Sequence, residues 1–279
     1  MHRTSQCQLP DGLPDRLARW LLAALLVLVT ACAVRSPQLP WTTDEAGGSW
    51  ASDESPDRRK ARSRLELASA YFENGQMDIA LQELHQSLVA DPRYSPSWNL
   101  SGLMHMQRGD VVLAERSFRT AMDLDPRDAQ VQHNMGWLMC QQARYSESFD
   151  WFQRVSAVPR YSERAKTHRA WGICAAKAGR PDLAREQLQI SQRLDPLNPV
   201  TRYHLARALW VTGQVDAARA LARILNGTSA ASAQTLWLGI QLERQLNDPV
   251  AMGELAALLL TRYPHSPEAA ALQRNEFDD

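Results

Sequence analysis

The sequence predicts an all-α solenoid built from about six stacked helical hairpins. Two observations predict it. From about residue 61 the chain repeats itself with a period of 34, so that "LASAYFENGQMDIALQELHQSLVADP", "SGLMHMQRGDVVLAERSFRTAMDLDP" and "WGICAAKAGRPDLAREQLQISQRLDP" carry the same residue types at the same steps, each ending in Pro. Midway through a period, Gly75, Gly109, Gly179 and Gly213 fall where a helix C-terminus needs a left-handed residue. A single hairpin cannot bury both of its faces, so stability has to come from stacking neighbours.

The pattern resembles the tetratricopeptide repeat, with its Trp, Leu, Gly, Tyr, Ala, Phe, Ala and Pro at fixed steps. Counted from Ala61, the first repeat supplies Leu67, Ala68, Tyr71, Ala80, Leu84 and Pro92. The second, from Ser95, supplies Trp98, Gly102, Ala114, Phe118, Ala121 and Pro126. The third, from Ala129, keeps Met135, Gly136, Phe152 and Val155 but has Ser148 where a small Ala is expected and Ala143 near its turn. Two extra residues precede the fourth, which from Ala165 supplies Trp171, Gly172, Ala184, Leu188 and Pro196. The fifth, from Pro199, keeps Leu205, Ala206, Gly213 and Ala218 but ends in "NGTSAASA" without its Pro, and a sixth, from about Ser232, shows Leu238, Gly239, Ala251 and Leu255. The small residues sit where the two helices of a hairpin cross and a larger side chain would push the backbones apart. Asp110 and Pro181 suit the starts of second helices, and Ser95-Pro96 reads as an N-cap followed by Pro in the first turn. The resemblance implies a right-handed superhelical tetratricopeptide-repeat solenoid over residues 61–268, with residues 269–279 as a polar cap.

Ahead of the repeats stand Arg3, Arg16 and Arg19, the apolar run "WLLAALLVLV" from Trp20 to Val29, and "TAC" ending at Cys32. Ten residues of helix span only ~15 Å, about half a bilayer core, so an export signal over residues 1–31 fits better than a membrane-spanning helix. Val29, Thr30, Ala31 and Cys32 resemble a bacterial lipobox, which implies acylation of Cys32 and cleavage before it. Ala33, rather than Asp, follows the cysteine, which in such lipoproteins implies delivery to the outer membrane, facing the periplasm. Residues 32–60 would then be a lipidated tether: the segment is rich in Pro, Ser, Asp and Gly with no apolar period, and Trp41 and Trp50 stand alone in it.

Composition excludes several function classes. Lys plus Arg and Asp plus Glu number 31 each, so no global field draws the chain to nucleic acid. There is no Gly-x-Ser-x-Gly, no Gly-rich phosphate cradle and no paired carboxylates on a recognisable loop, so neither an enzyme nor a cofactor is expected.

The repeat frame places Cys140 and Cys174 on the first helices of the third and fourth repeats, 34 residues apart. With Cys7 cleaved off and Cys32 acylated, they are the two thiols left to an oxidising periplasm, and a disulfide between them is the favoured reading. The alternatives are two buried cysteines acting as small hydrophobes, a metal site, or a reactive thiol of an oxidoreductase; there is no Cys-x-x-Cys, and no histidine has a ligand-type partner at i, i+4.

In this architecture, fixed positions on the first helices face a concave groove. They are Leu65 and Phe72 in the first repeat, Asn99, Leu103 and Met106 in the second, and His133 and Trp137 in the third. Arg169 and Ile173 follow in the fourth, then Tyr203, Arg207 and Trp210 in the fifth. Exposed aromatics, Met and Arg are what interfaces enrich, and such a row suits an extended or helical peptide. Asn99 and His133 are candidates to hold a peptide backbone by hydrogen bonds.

Lipobox, tether and six repeats, with "NMGWLMCQQARYSESFDWF" in the third and "WGICAAKAGRPDLAREQL" in the fourth, together resemble the type IV pilus biogenesis and stability lipoproteins of the PilW/PilF family. The paired cysteines Cys140 and Cys174 match that family. The resemblance implies a pilotin-like, non-catalytic scaffold, monomeric when unbound, held on the outer membrane by its acyl chains, that binds a subunit of the pilus secretin and promotes its localisation and multimerisation there. The alternative is a periplasmic tetratricopeptide-repeat adaptor for another secretion or envelope-assembly machine.

Overall fold

The computed structural model describes residues 54–277, which form thirteen α-helices and no strand among the described residues. The first hairpin is α1 (Pro56–Glu73) with α2 (Met77–Ala90), the second α3 (Ser95–Arg108) with α4 (Val111–Leu124), the third α5 (Ala129–Gln141) with α6 (Tyr145–Ser156). The fourth is α7 (Arg164–Lys177) with α8 (Pro181–Leu194), the fifth α9 (Pro199–Val211) with α10 (Val215–Asn226), the sixth α11 (Ala233–Gln245) with α12 (Pro249–Arg262). A last short helix, α13 (Pro267–Arg274), follows. The fold is the tetratricopeptide-repeat solenoid the periodicity predicts.

The small residues do what the spacing requires. A Cβ on Gly102 would lie 2.4 Å from the Phe118 ring, and one on Gly172 would lie 2.5 Å from Leu188 Cγ. In the first and fifth repeats the same step holds Ala68 and Ala206, and the facing positions hold Leu84 and Ala222 instead of a phenylalanine. The hairpins therefore trade volume across their crossing so that interior density is kept. The turn residue of the third repeat is Ala143 (φ 59°) and of the sixth Asn247 (φ 54°), both in the left-handed conformation that Gly109 (φ 79°) adopts without a Cβ penalty.

Neighbouring repeats are joined by buried hydroxyls as well as apolar contact. The Ser87 hydroxyl donates to the Ala61 carbonyl at 2.6 Å and lies 2.7 Å from the Ser97 hydroxyl of the next repeat. Three repeats on, Ser191 does the same with the Ala165 carbonyl and the Thr201 hydroxyl, at 2.9 and 3.0 Å. Each clamp satisfies polar groups that packing has removed from water.

Both ends depart from the expected boundaries. The first helix begins at Pro56, about one turn before Ala61, with the Ser55 side chain capping Arg58 N–H at 3.1 Å. The extra turn is ordered because its charges find partners: Arg58 pairs with Asp91 and lies over the Tyr94 ring, and Arg62 pairs with Glu54 at 3.0 Å. At the other end, the chain leaves α13 through a left-handed Asn275 and returns Phe277 onto Trp237, ring centroids 5.2 Å apart and planes 9° from parallel, with the Arg244 guanidinium 4.0 Å from the Phe277 ring. The cap is thus aromatic at its tip, and Phe277 joins Ala271 and Leu272 of α13 in covering the apolar face of α11. The expected export signal, the expected acylation site Cys32 and most of the expected tether lie outside the described residues.

Gly102→Ala is expected to destabilise the protein by about 1–3 kcal/mol through overpacking, read as a lower urea or thermal midpoint. Adding Phe118→Leu should recover part of that loss, since the ring that the new methyl strikes is gone. No recovery would mean that the crossing is not where the strain arises.

Candidate peptide-binding groove

Each first helix contacts the first helices before and after it (α1, α3, α5, α7, α9, α11), whereas among the described residues no second helix approaches another second helix. The first helices are therefore the narrow side of the curved stack and form its inner wall. Residues of these helices that point between neighbours are buried; those that point away line the groove.

That distinction corrects two expectations. Asn99 is 9% exposed and His133 4%, so neither is free to hold a peptide backbone. The Asn99 side-chain oxygen accepts from the Asn134 amide at 2.9 Å, and His133 Nδ1 lies 3.0 Å from the Thr167 hydroxyl. Because first helices pack side by side, side chains at this step meet the next helix before they meet solvent. They are inter-repeat hydrogen bonds and not ligand groups.

The other expected residues are at the surface to differing extents. Leu65 and Phe72 are half-buried against the cluster around Ala68 and Met104, and Leu103 and Met106 against that around Phe118 and Met135. Trp137, Arg169, Ile173, Tyr203 and Trp210 are half-buried and Arg207 is exposed. The structure brings together those of repeats three to five. Lys177 lies over Trp137 at 5.6 Å, and Ile173, Lys177, His204 and Arg207 line one cleft of about 360 Å³. Arg207 also borders the adjoining cleft with Tyr203, Trp237 and Leu238. Trp210 Nε1 donates to the Gln245 side chain at 2.5 Å, beside Phe277. Sequence reasoning missed Lys177 and His204, although both are on the same first helices; the residues assigned to the groove were drawn from too few steps of the repeat.

Electrostatically this stretch is one-sided. Burial holds the His133 imidazole down to about 3, helped by Lys166 and Arg169. His204 is held down to about 4 by burial and by Arg207, Arg169 and Lys177. Both are neutral at pH 7.

Behind this wall Cys140 and Cys174 are joined in a disulfide, Cα atoms 5.8 Å apart, that ties α5 to α7. Both are buried among Phe152, Ala170, Trp137 and Trp171. The Ser148 hydroxyl, at the step where other repeats carry Ala, lies 3.3 Å from Cys174 Sγ. The irregular residue of the third repeat is thus in contact with the bridge that closes it on the fourth. Among the described residues no cluster of His, Cys, Asp and Glu is placed to hold a metal ion, and no helix is long and apolar enough to cross a membrane.

Comparison with known proteins places these features. The tetratricopeptide repeat family model matches residues 65–129 and 169–234. The type IV pilus assembly protein PilF of Pseudomonas aeruginosa is 25% identical over 91% of this chain and 96% of its own. Its structure superposes with a TM-score of 0.71, covering 79% of this chain and all of that one at 23% identity. PilW, described as a widely conserved type IV pilus biogenesis factor, superposes with a TM-score of 0.72 at 26% identity, over 76% of this chain and 98% of that one.

Two measurements test the wall. A disulfide closing a loop of 34 residues stabilises by about 4 kcal/mol in the chain-entropy model, so reductant should lower the melting temperature by about 10 °C in wild type and have no effect on the Cys140→Ser, Cys174→Ser double variant. For His133 the sign follows from its depressed folded value: the unfolded imidazole takes up a proton below about 6.5 and the buried one does not, so stability is lost as pH falls from 7 towards 4. The loss at pH 5 is about 2 kcal/mol, and denaturant titrations of His133→Gln should lack that part of the pH slope.

Proposed function

We propose that this chain, which belongs to the PilF/PilW family of tetratricopeptide-repeat proteins, acts in type IV pilus assembly as an outer-membrane lipoprotein scaffold of pilotin type. Acyl chains on Cys32 hold it on the membrane, and the inner wall of the solenoid binds a subunit of the pilus secretin, retaining it there and promoting its multimerisation. The observation that carries this reading is the row of half-buried aromatic, aliphatic and cationic side chains on α5, α7 and α9, which packing within the chain leaves partly open. An apolar row with cationic edges is chemistry for a polypeptide and holds no reacting group.

Division of labour follows from magnitudes. Each buried acyl methylene contributes ~0.8 kcal/mol, so several chains on one residue fix the protein at a bilayer irrespective of the partner. Specificity is left to the repeats. Support for the pilus assignment is the likeness to PilF along nearly the whole of both chains.

Cys32→Ala is expected to leave the circular-dichroism spectrum and melting of the repeats unchanged while moving the protein from the membrane to the soluble fraction and reducing secretin multimers on gels. Trp137→Ala should stay on the membrane and lose co-purification of the secretin from detergent-solubilised outer membranes. Normal secretin assembly in the Cys32→Ala strain would remove the anchoring half of this reading.

A further inference from the structure

The inner wall of repeats three to five carries a positive charge that the protein does not neutralise. Among the described residues, Lys166, Arg169, Lys177 and Arg207 make no ion pair with a carboxylate. The helices α7 and α9 carry Lys and Arg, and none of α5, α7 and α9 carries Asp or Glu, whereas several cations outside the wall do have carboxylate partners. Arg144 pairs with both Glu115 and Glu147, and Arg219 and Arg223 share Glu243 and Asp248. Equal numbers of acidic and basic residues in the chain make this local surplus a matter of placement and not of composition. The charges beside His133 are those of Lys166 and Arg169, and beside His204 those of Arg207, Arg169 and Lys177. Glu268 borders the C-terminal end of the wall, with Arg207 in the same cleft but not paired to it.

Apolar groups are interleaved with these charges. Trp137 lies beneath Lys177, Ile173 is beside His204 and Arg207, and Tyr203 meets His204 edge-on at 5.1 Å. A bare polyanion would leave those surfaces uncovered. The chain itself shows what can cover such a surface: Phe277 packs against the Trp237 ring and the Arg244 guanidinium at the end of the same wall. An aromatic ring is there seated against an aromatic ring and a guanidinium.

Resting on the reading of this wall as the partner-binding surface, we propose that its ligand is an acidic peptide segment bearing aromatic or large aliphatic side chains, with Arg169, Lys177 and Arg207 facing its carboxylates and Trp137, Ile173 and Tyr203 taking its apolar groups. Complementary charge selects the partner and speeds encounter, and the apolar contacts hold it.

The test uses the full mature chain and three labelled peptides of about twelve residues with identical Phe and Leu positions and Glu, Gln or Lys between them, followed by fluorescence anisotropy. The Glu peptide should bind about tenfold tighter than the Gln peptide, and high salt should shrink that advantage. Arg169→Gln with Arg207→Gln should weaken the Glu peptide about tenfold and leave the Gln peptide unchanged, with an unaltered melting curve. Equal affinity for the Glu and Gln peptides, or a double variant that binds the Glu peptide as wild type does, overturns the charge assignment. If the Gln peptide still binds and Trp137→Ala abolishes it, the groove reading survives that failure. Absence of binding by all three peptides removes both. Arg-dependent binding to vesicles containing phosphatidylglycerol, with none to the Glu peptide, would assign the wall to a membrane surface instead.

Discussion

Everything in this protein depends on how closely two helices can cross within a hairpin. At Gly102 and Gly172 there is no room for a side chain against the facing helix, where Phe118 and Leu188 fill the space a Cβ would need, and at Gly136 and Gly239 a Cβ would crowd Phe152 and Leu255. This contact, made with Ala68 and Ala206 at the same step of the first and fifth hairpins, sets the approach and angle of the two helices. That angle decides which residues of the first helix meet the next repeat and which are left on the inner wall. Repeats behave as nearest-neighbour units, so an error at one crossing is passed to adjoining interfaces and no further.

The same geometry explains what was legible in the sequence. Hairpins, turns and crossings could be read because each is specified locally, by Gly109 at a helix end or by Gly102 paired with Phe118 one hairpin arm away. The bridge between Cys140 and Cys174 could be anticipated because the repeat frame superposes first helices at a known offset. Side-chain direction on the inner wall could not. Asn99 and His133 share a repeat step with Arg169 and Tyr203, yet the former pair are turned into the seam between repeats by Asn134 and Thr167, partners whose identity is not part of the repeat pattern. The serine clamps at Ser87 and Ser191 escaped for a related reason: in the consensus that step is a silent small residue, and only the neighbouring Ser97 and Thr201 give the hydroxyl a purpose.

Charge was the least legible property, because equal totals of acid and base conceal where each is left unmatched. Second helices and turns carry most of the compensating pairs, such as Arg144 with Glu147 and Arg219 with Asp248. On the inner wall the cations have no such partners and lie among apolar groups such as Trp137 and Ile173.

The bridge between α5 and α7 has a mechanical meaning beyond its contribution to folding. It spans the side of the solenoid where successive repeats are in direct contact, while on the opposite side the second helices stand apart. A stack built this way resembles a leaf spring pinned at mid-length: the outer ribs can fan and close, and the two arms can bend, but the pitch at the pin is constant. A load applied to either arm would be taken up by bending there, leaving the seam between α5 and α7 fixed.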